Sequence, residues 1–335
     1  MLKFAIIGFG GLGQLHFRRS VQVKELACTE IELVALCDIE NKFDKVVATN
    51  IAGEGANQDT SALRTYLSVD ELLDNEELDF VITALPTYIH AEIANKVMNR
   101  GIHVFSEKPM ALTYEQAASM VETADKNNVK LMIGQCMRYD TMWAKLKEIV
   151  DKKTYGDVIR GNFDRVSQAA TWGWQNWFMD ETKSGGAALD FHVHDVDFIN
   201  YLFGKPLSVT SFASHNKSKF ASIMTRYEYD GKLITSLGDW GNSKTTPFRE
   251  LFFVQLEKAS LETVNGKLMC YPDEGDAYEI ECEVRDGYIY EMVDFIDCIV
   301  NDKKSLVNPA ESSLVSLEIA LAEKKSASTS KTVNL

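Results

Sequence analysis

Three side chains of this sequence have the chemistry to move a proton and to polarise an oxygen: Lys108, Asp190 and His194. Lys108 follows a short apolar run and precedes Pro109, which fixes the backbone beside it. A lysine at the end of a buried strand is poorly hydrated, and this favours loss of its proton. Taken alone, the stretch from Glu107 to Pro109 also suits an ordinary polar turn. A functional lysine therefore needs other residues to support it.

The second candidate group lies in a helix predicted over residues 185–197. At about 100° per residue, Asp190, His194 and Asp197 share one stripe of that helix. A carboxylate one turn from an imidazole orients it and raises its basicity, as a general base requires. His192 would lie about 200° away from His194, so one metal ion does not readily bind both. No metal is predicted, and a merely structural pair of Asp190 and His194 is the alternative.

Three tryptophans, Trp172, Trp174 and Trp177, precede this helix. Aromatic rings with polar neighbours can form a flat wall for a sugar ring, but they are equally common as core filling. The pattern does not choose between these roles. The predicted substrate-binding residues are Lys108, Arg138, Trp172, Trp177, Asp190 and His194.

A glycine-rich stretch near the start of the chain predicts a dinucleotide site. The glycines at 8, 10 and 13 follow the apolar run 4–7 and precede a predicted helix, the spacing and context of a dinucleotide-binding loop. Asp38 ends the next apolar run, where an acid would bind the ribose hydroxyls and repel a 2′-phosphate, although Asp38 also suits a simple turn. NAD is thus favoured over NADP. The predicted cofactor-binding residues are Gly8, Phe9, Gly10, Gly11, Leu12, Gly13, Asp38, Pro86, His90, Glu107 and Lys108.

Alternation of predicted strands and helices over the first 130 or so residues indicates a parallel α/β sheet, whose ligands bind beyond the carboxyl ends of the strands. From Gly156 the pattern changes to strands separated by turn signals, typical of a mostly antiparallel sheet. The predicted fold is an N-terminal Rossmann doubly wound sheet followed by an α/β domain with a large open sheet. The predicted domains are residues 1–120, with a C-terminal helix returning to pack on them, and residues 121–335.

Length and composition bound the possible functions. A chain of 335 residues is long enough for two domains, each with its own core. The net charge of −14 disfavours nucleic acid and anionic lipid as partners. The six cysteines include no C-x-x-C pair, as expected of reduced thiols, and no apolar run suits a signal peptide or a membrane span. A cytoplasmic location is expected.

Taken in order, these stretches resemble the Gfo/Idh/MocA oxidoreductase family, which is named in part for glucose-fructose oxidoreductase and inositol dehydrogenase. The matching motifs run to about Gly204, and beyond that residue the likeness is one of architecture. One departure is Ser184, where many members carry a further glycine. The motifs are Gly8-x-Gly10-x-x-Gly13-x-x-His16, Pro86-x-x-x-His90, Glu107-Lys108-Pro109 and Gly185-Gly186-x-x-x-Asp190-x-x-x-His194.

The resemblance implies several properties. Lys108 is expected to contact substrate and nicotinamide, Asp190 and His194 to handle substrate and proton, and Pro109 to follow a cis peptide bond. The open sheet is expected to form a homodimer or homotetramer. The expected activity is NAD(P)-dependent hydride transfer at a secondary alcohol of a sugar, a polyol or a derivative. The alternatives are a non-catalytic dinucleotide-binding regulator and an enzyme like a dihydrodiol dehydrogenase.

Overall fold

A computed structural model of the chain describes residues 1–47 and 59–335. The chain forms two compact units, and each is built from more than one segment. The first unit comprises Met1–Cys136, Trp172–Gln175 and Tyr288–Leu314, and the second comprises Met137–Thr171, Asn176–Gly287 and Val315–Leu335.

Among the described residues, the first unit holds a six-stranded sheet in which neighbouring strands are parallel. Its order, β3-β2-β1-β4-β5-β6, is that of a doubly wound dinucleotide-binding sheet. The strands are β1 (Leu2–Ile7), β2 (Ile31–Cys37), β3 (Arg64–Tyr66), β4 (Phe80–Thr83), β5 (His103–Glu107) and β6 (Leu131–Gly134). The helices are α1 (Gly11–Leu26), α2 (Val69–Asn75), α3 (His90–Met98) and α4 (Tyr114–Asn127).

The core of the first unit forms because its central strands are apolar on both faces. Phe4 of β1 stacks on Phe80 of β4 with ring centroids 4.7 Å apart. Phe295, from a later helix at Gly287–Val300, meets both Phe80 and Phe105 edge-on, at 5.7 Å in each case. A segment distant in sequence thus covers one face of the parallel sheet.

The second unit holds a nine-stranded sheet in the described part of the chain, with the order β14-β13-β12-β11-β7-β10-β9-β8-β15. Within these described residues, neighbouring strands are antiparallel apart from the parallel pair of β7 and β10. Its strands are β7 (Val158–Gln168), β8 (Ser208–Ser214), β9 (Ser222–Tyr229), β10 (Lys232–Asn242), β11 (Arg249–Leu256), β12 (Ala259–Val264), β13 (Lys267–Pro272), β14 (Tyr278–Glu279) and β15 (Val333–Asn334). The helices of this unit are α5 (Thr141–Asp151), α6 (Glu181–Ser184), α7 (Val193–Phe203) and most of α9 (Ala310–Thr329). Between α7 and α9 in the chain lies α8 (Gly287–Val300), which belongs almost wholly to the first unit.

The two faces of this second sheet differ. On one face, Trp143 of α5 is buried among Phe163, Phe198 and Phe252, with ring centroids 4.9 to 6.4 Å from its own. The other face carries exposed apolar side chains such as Phe212. The predicted fold class, a Rossmann sheet followed by a mostly antiparallel α/β domain, is therefore confirmed.

Local differences from the sequence predictions have physical causes. The single regular helix predicted over residues 185–197 is wrong: a π-helical turn at Ala187–Phe191 precedes α7, because Gly185 and Gly186 enter the segment with positive φ angles of 78° and 76°. The dipeptide Asn265-Gly266 predicts a turn, whereas the sequence pattern did not predict the strands β12 and β13 on either side of it. β6 lies beyond residue 120, the predicted end of the first domain. No helix in the described ranges is long and apolar enough to cross a membrane.

Candidate active site

The glycine-rich loop joins β1 to α1, and its glycines are required by their surroundings. Gly8 has φ +92°, and a Cβ there would lie 2.4 Å from the Ala84 carbonyl oxygen. A Cβ at Gly13 would lie 1.9 Å from the Gly8 carbonyl oxygen. Gly10 differs, since a Cβ there meets nothing within 4 Å. The backbone is therefore packed tightly on one side and open at Gly10, which is the side where a pyrophosphate needs close approach.

The N-terminus of α1 suits an anion. Gly10 is its N-cap and, within the described chain, no side chain caps the helix. The first intrahelical bond runs from the amide of Gln14 to the Gly10 carbonyl, 3.0 Å. The amides of the first turn thus face the open side of the loop with the positive end of the helix dipole. The residues present fit the pyrophosphate of a dinucleotide.

Asp38 lies beside this loop, as the sequence predicts, but it has a further function there. Its Oδ2 accepts a hydrogen bond from the Phe9 amide at 2.8 Å, and its Oδ1 accepts one from the Glu40 amide at 3.0 Å. Lys42 Nζ is 3.7 Å from Oδ1. The carboxylate therefore fixes the loop through the Phe9 amide. Phe9 itself is buried in the core beneath.

Lys108 follows β5, at the same carboxyl edge of the sheet as the glycine loop. Its peptide bond to Pro109 is cis, which agrees with the resemblance. The preceding residue, Glu107, is only 2% exposed. Glu107 Oε1 lies 2.7 Å from His16 Nε2, and Oε2 accepts the Lys108 amide at 3.2 Å. Glu107 thus ties α1 to the lysine-bearing turn.

His90 links the segment that follows β4 to the segment that follows β5. Its Nδ1 is 2.8 Å from the Pro109 carbonyl oxygen and its Nε2 is 2.7 Å from the Leu85 carbonyl oxygen. Burial lowers the pKa of His90, although both carbonyls and Glu107 favour its charged form. Pro86 begins the short 3₁₀ turn that leads into α3. His90 therefore braces the loops around Lys108 from beneath.

In the second unit, Asp190 and His194 lie on either side of a change in helix type. Asp190 is inside the π turn and 7% exposed, whereas His194 is in the first turn of α7 and half-buried. The amide of His192 donates to the Ala187 carbonyl at 2.8 Å, the five-residue spacing that defines this turn. The relation of Asp190 to His194 is therefore set by the π turn and not by a regular helix.

Two predicted substrate-binding residues are buried. Arg138 is 2% exposed and forms a bidentate pair with Asp197, with Nε 2.8 Å from Oδ2 and a terminal nitrogen 2.6 Å from Oδ1. Trp177 is 9% exposed and stacks on Phe178 at 4.1 Å. Asp197, predicted on the catalytic stripe, thus pairs with Arg138.

The other two tryptophans belong to the first unit. Trp172 is 36% exposed, and Trp174 donates its indole N–H to Glu40 at 2.7 Å. The segment that carries them therefore contacts the turn after Asp38.

Comparison with known proteins identifies this arrangement. Residues 2–135 match the model of an oxidoreductase family with an NAD-binding Rossmann fold, and residues 143–262 match the GFO/IDH/MocA C-terminal domain. The chain belongs to the GFO/IDH/MocA oxidoreductase family. The resemblance seen in the sequence is thus confirmed, and the family's NAD-binding domain confirms NAD as the predicted cofactor.

Relatives within the GFO/IDH/MocA family include an uncharacterized oxidoreductase of Streptococcus pneumoniae, 29% identical over 72% of this chain and 63% of its own length. An oxidoreductase of Schizosaccharomyces pombe is 33% identical over 44% of this chain and 40% of its own length. The chain thus aligns with less than two thirds of either protein. The scyllo-inositol 2-dehydrogenase (NAD⁺) of Bacillus subtilis is 23% identical over 96% of this chain and 92% of its own length.

Solved structures show the same fold. Levoglucosan dehydrogenase in complex with NADH and levoglucosan superposes with a TM-score of 0.84, at 17% identity over 99% of both chains. The myo-inositol 2-dehydrogenase of Lactobacillus plantarum superposes with a TM-score of 0.79, at 22% identity, over 100% of this chain and 99% of its own.

Sequence reasoning missed several residues that shape the site. The pairing of Glu107 with His16 was not predicted, although both residues stand in the family motifs. His192 was set aside because a regular helix turns it away from His194. Two of the groups around it, Ser236 of β10 and Glu323 of α9, lie far along the chain, so no local pattern indicates them.

Proposed function

We propose that this GFO/IDH/MocA member is an NAD-dependent dehydrogenase acting on a secondary alcohol of a sugar, polyol or derivative. The observation that carries the proposal is the placement of Lys108 at the carboxyl end of β5, in the sheet whose β1 ends in the dinucleotide loop. Ligands of such sheets bind along this edge. A cation on this edge is available to a substrate oxygen.

We assign the chemical steps to three residues. Lys108 donates a hydrogen bond to the substrate oxygen and stabilises negative charge on it. An imidazole nitrogen of His194 accepts the hydroxyl proton as the O–H bond breaks and the carbonyl forms. Asp190 orients the substrate hydroxyl or the imidazole. Bound NAD⁺ supplies the acceptor for the hydride that leaves the same carbon.

The substrate class follows from chemistry shared with relatives. Two similar proteins are named for scyllo-inositol and levoglucosan, both rich in secondary hydroxyls. We propose that Trp172, which is 36% exposed, offers an apolar ring face to such a substrate. Arg138 is paired with Asp197 and Trp177 stacks on Phe178, so we propose that both support the fold around the site and leave substrate contact to other residues.

The test uses purified full-length protein with NAD⁺ and a panel of scyllo-inositol, myo-inositol, levoglucosan and glucose, followed by NADH absorbance. Lys108→Ala is expected to lower kcat by about 100-fold or more, in the range of a lost polarising or acid–base group. Lys126→Ala, an exposed lysine at the end of α4, is the matched control and is expected to retain full activity. Undiminished turnover by Lys108→Ala would remove the assigned role.

Two other results would point to the alternatives. Binding of NAD⁺ without turnover of any polyol, together with tight association to another protein, would favour a non-catalytic regulator. Turnover confined to a dihydrodiol or a linear carbonyl would favour the dihydrodiol-dehydrogenase-like enzyme.

We also propose that two or four copies associate through the open face of the second sheet. Phe212 of β8 pairs across the strands with Met224 of β9, which pairs with Leu237 of β10. Phe212 is 68% exposed and Met224 53%, and Leu251 of β11 adds a further exposed apolar side chain at 38%. Asp164 of β7 stands between Leu237 and Leu251 in this register, so the exposed apolar side chains form a patch centred on Phe212 and Met224. An apolar patch of this kind favours burial against a like surface. Conversion of the native oligomer to monomer by Met224→Lys, measured by analytical ultracentrifugation, would support this surface.

A further inference from the structure

His192 is fully buried in the second unit, in a notch of the sheet that lies over Gly238 of β10. A Cβ at Gly238 of β10 would lie 2.6 Å from three atoms of His192: Cβ, Cγ and Nδ1. The absence of a side chain at Gly238 is therefore what admits the imidazole. His192 is 0% exposed, so its ring lies in the protein interior.

Both ring nitrogens of His192 face acceptors. Nε2 is 3.0 Å from Ser236 Oγ and 3.7 Å from Glu323 Oε2. Nδ1 is 3.5 Å from Asp195 Oδ2. The Ser236 hydroxyl can donate to Nε2 or accept from it, and the two carboxylates flank the ring. The ring is therefore held between polar groups on both sides.

The surrounding charges and burial act on the pKa of the ring in opposite directions. Burial by itself lowers the pKa of His192, but Glu323 and Asp195 outweigh it and the net direction is upward. Asp195 stays ionised because Arg165 lies 3.0 Å from it, and this lowers its pKa despite burial. Arg165 in turn reaches Glu250 at 2.8 Å. The groups on the side of the sheet that His192 occupies are Asp195 of α7, Glu323 of α9, Arg165 of β7, Tyr227 of β9 and Ser236 of β10. Asp164 lies on the opposite face of β7 and interacts with His192 only through its charge.

His192 is also the residue at which the π turn closes. Its amide makes the bond to Ala187, and it is the last residue before α7. Asp190 lies before this junction and His194 after it. A π turn is less favourable than a continuous α-helix, so it persists where tertiary contacts hold it. The buried ring of His192 supplies such contacts.

We propose that His192 is a positioning residue: its imidazole, seated over Gly238 between Asp195 and Glu323, holds the π turn and so sets the orientation of Asp190 relative to His194. The inference rests on the proposed function for the catalytic roles of those two residues. A ring that only filled the core would stabilise the fold without controlling His194.

The experiment observes His194 directly, without need of a substrate. Protein labelled with ¹³C at histidine Cε1 is titrated by NMR, and the His194 signal is assigned by its loss in His194→Gln. Two variants disturb the junction by different routes. His192→Gln removes the ring and its charge, and Gly238→Ala leaves the ring chemically intact but closes its notch. The signals of His90 and His103, which belong to the first unit, are internal controls.

Both variants are expected to move the His194 titration midpoint by about half a pH unit or more, because a carboxylate moved relative to an imidazole changes its pKa. The controls should not move. In the double variant His192→Ala/Gly238→Ala, the added methyl group partly fills the vacated space and recovers thermal stability. We expect His194 to stay shifted in that variant. An unchanged His194 signal and midpoint in the folded variants would overturn the proposal.

The kinetic arm separates this inference from the proposed function. On whichever polyol of the panel the wild type oxidises, His192→Gln is expected to lower kcat by about tenfold or more. The Kd of NAD⁺, measured by calorimetry, should be unchanged. Loss of stability with unchanged kcat would indicate a structural role alone and overturn the proposal. Should the wild type oxidise none of the panel, the proposed function fails, whereas the NMR result still decides whether His192 controls His194.

Discussion

Replacing Gly10 with alanine should separate cofactor binding from folding. Gly10 has φ −73° and ψ −163°, an extended conformation that alanine adopts without strain, and its added Cβ meets nothing within 4 Å. The change should therefore alter the free energy of unfolding by no more than about 0.5 kcal/mol, as is usual for a substitution without contacts. The methyl group would instead occupy the space through which the pyrophosphate approaches the amides of α1.

The size of the effect follows from the contact that is lost. A hydrogen bond from a backbone amide to a charged phosphate contributes about 1.5 to 3 kcal/mol. Loss of one such bond corresponds to a rise in the Kd of NAD⁺ of roughly 10- to 150-fold. Gly10→Ala should therefore be a folded protein that binds NAD⁺ weakly.

Gly13→Ala provides the contrast within the same loop. Its Cβ would lie 1.9 Å from the Gly8 carbonyl oxygen, and real Cβ contacts are essentially never closer than 3.0 Å. The start of α1 must therefore move away from the loop, at a cost of about 1 to 3 kcal/mol in the free energy of unfolding.

Calorimetry with NAD⁺ and urea unfolding measure the two quantities for both variants. Wild-type affinity for NAD⁺ in Gly10→Ala, or wild-type stability in Gly13→Ala, would refute this reading of the loop.

Three further outcomes are expected. Arg138→Met should lower the free energy of unfolding by about 3 to 5 kcal/mol, because Asp197 is left charged and buried, and Arg138→Met/Asp197→Leu should recover much of the loss in urea titrations. Asp38→Asn keeps an acceptor for the Phe9 amide but removes the charge, so the ratio of the NADP⁺ and NAD⁺ dissociation constants should fall about tenfold in fluorescence titrations. Burial, with Glu250 and Asp286 nearby, raises the pKa of Asp140 to about 6. The native state then holds this proton where the unfolded state has lost it, so stability should fall as pH rises from about 4 to 6 and the fall should shrink in Asp140→Asn.

Each of these has an opposite result that would count against it. A double variant no more stable than Arg138→Met would mean that the buried charge is not the source of the loss. An unchanged cofactor ratio in Asp38→Asn would assign the preference to other groups. Equal pH dependence of unfolding in wild type and Asp140→Asn would place the titration elsewhere.

Much of the fold could be predicted because its signals are local. Hydrophobic pattern alone predicts a strand over 31–37, a helix over 114–127 and strands over 208–214 and 222–229, and the structure has these elements with the same bounds. The pattern also predicts one strand over 278–283, but only Tyr278–Glu279 pairs with the sheet.

The candidate site was predicted less completely. The placement of Lys108 after a strand at the cofactor edge follows from strand order, which alternation of strands and helices indicates. Arg138 was predicted to bind substrate, but the structure pairs it with Asp197, 59 residues further along the chain. No local pattern in the sequence indicates this pairing. Its chemistry suits either role, and only its partner distinguishes them.

The sequence by itself determined the dinucleotide loop, the parallel sheet and the family, because glycine spacing and hydrophobic period act within one turn or strand. Tertiary structure alone decided the shape of the Asp190–His194 segment. Helical periodicity there assumes a constant rotation per residue, and the π turn breaks it. The ring of His192, packed against Gly238, holds that turn. This contact forms only when the start of α7 packs on β10, whose residues lie far along the chain. The pairing of His16 with Glu107, 91 residues apart, has the same origin. Such contacts depend on which surfaces meet, and no local pattern specifies that.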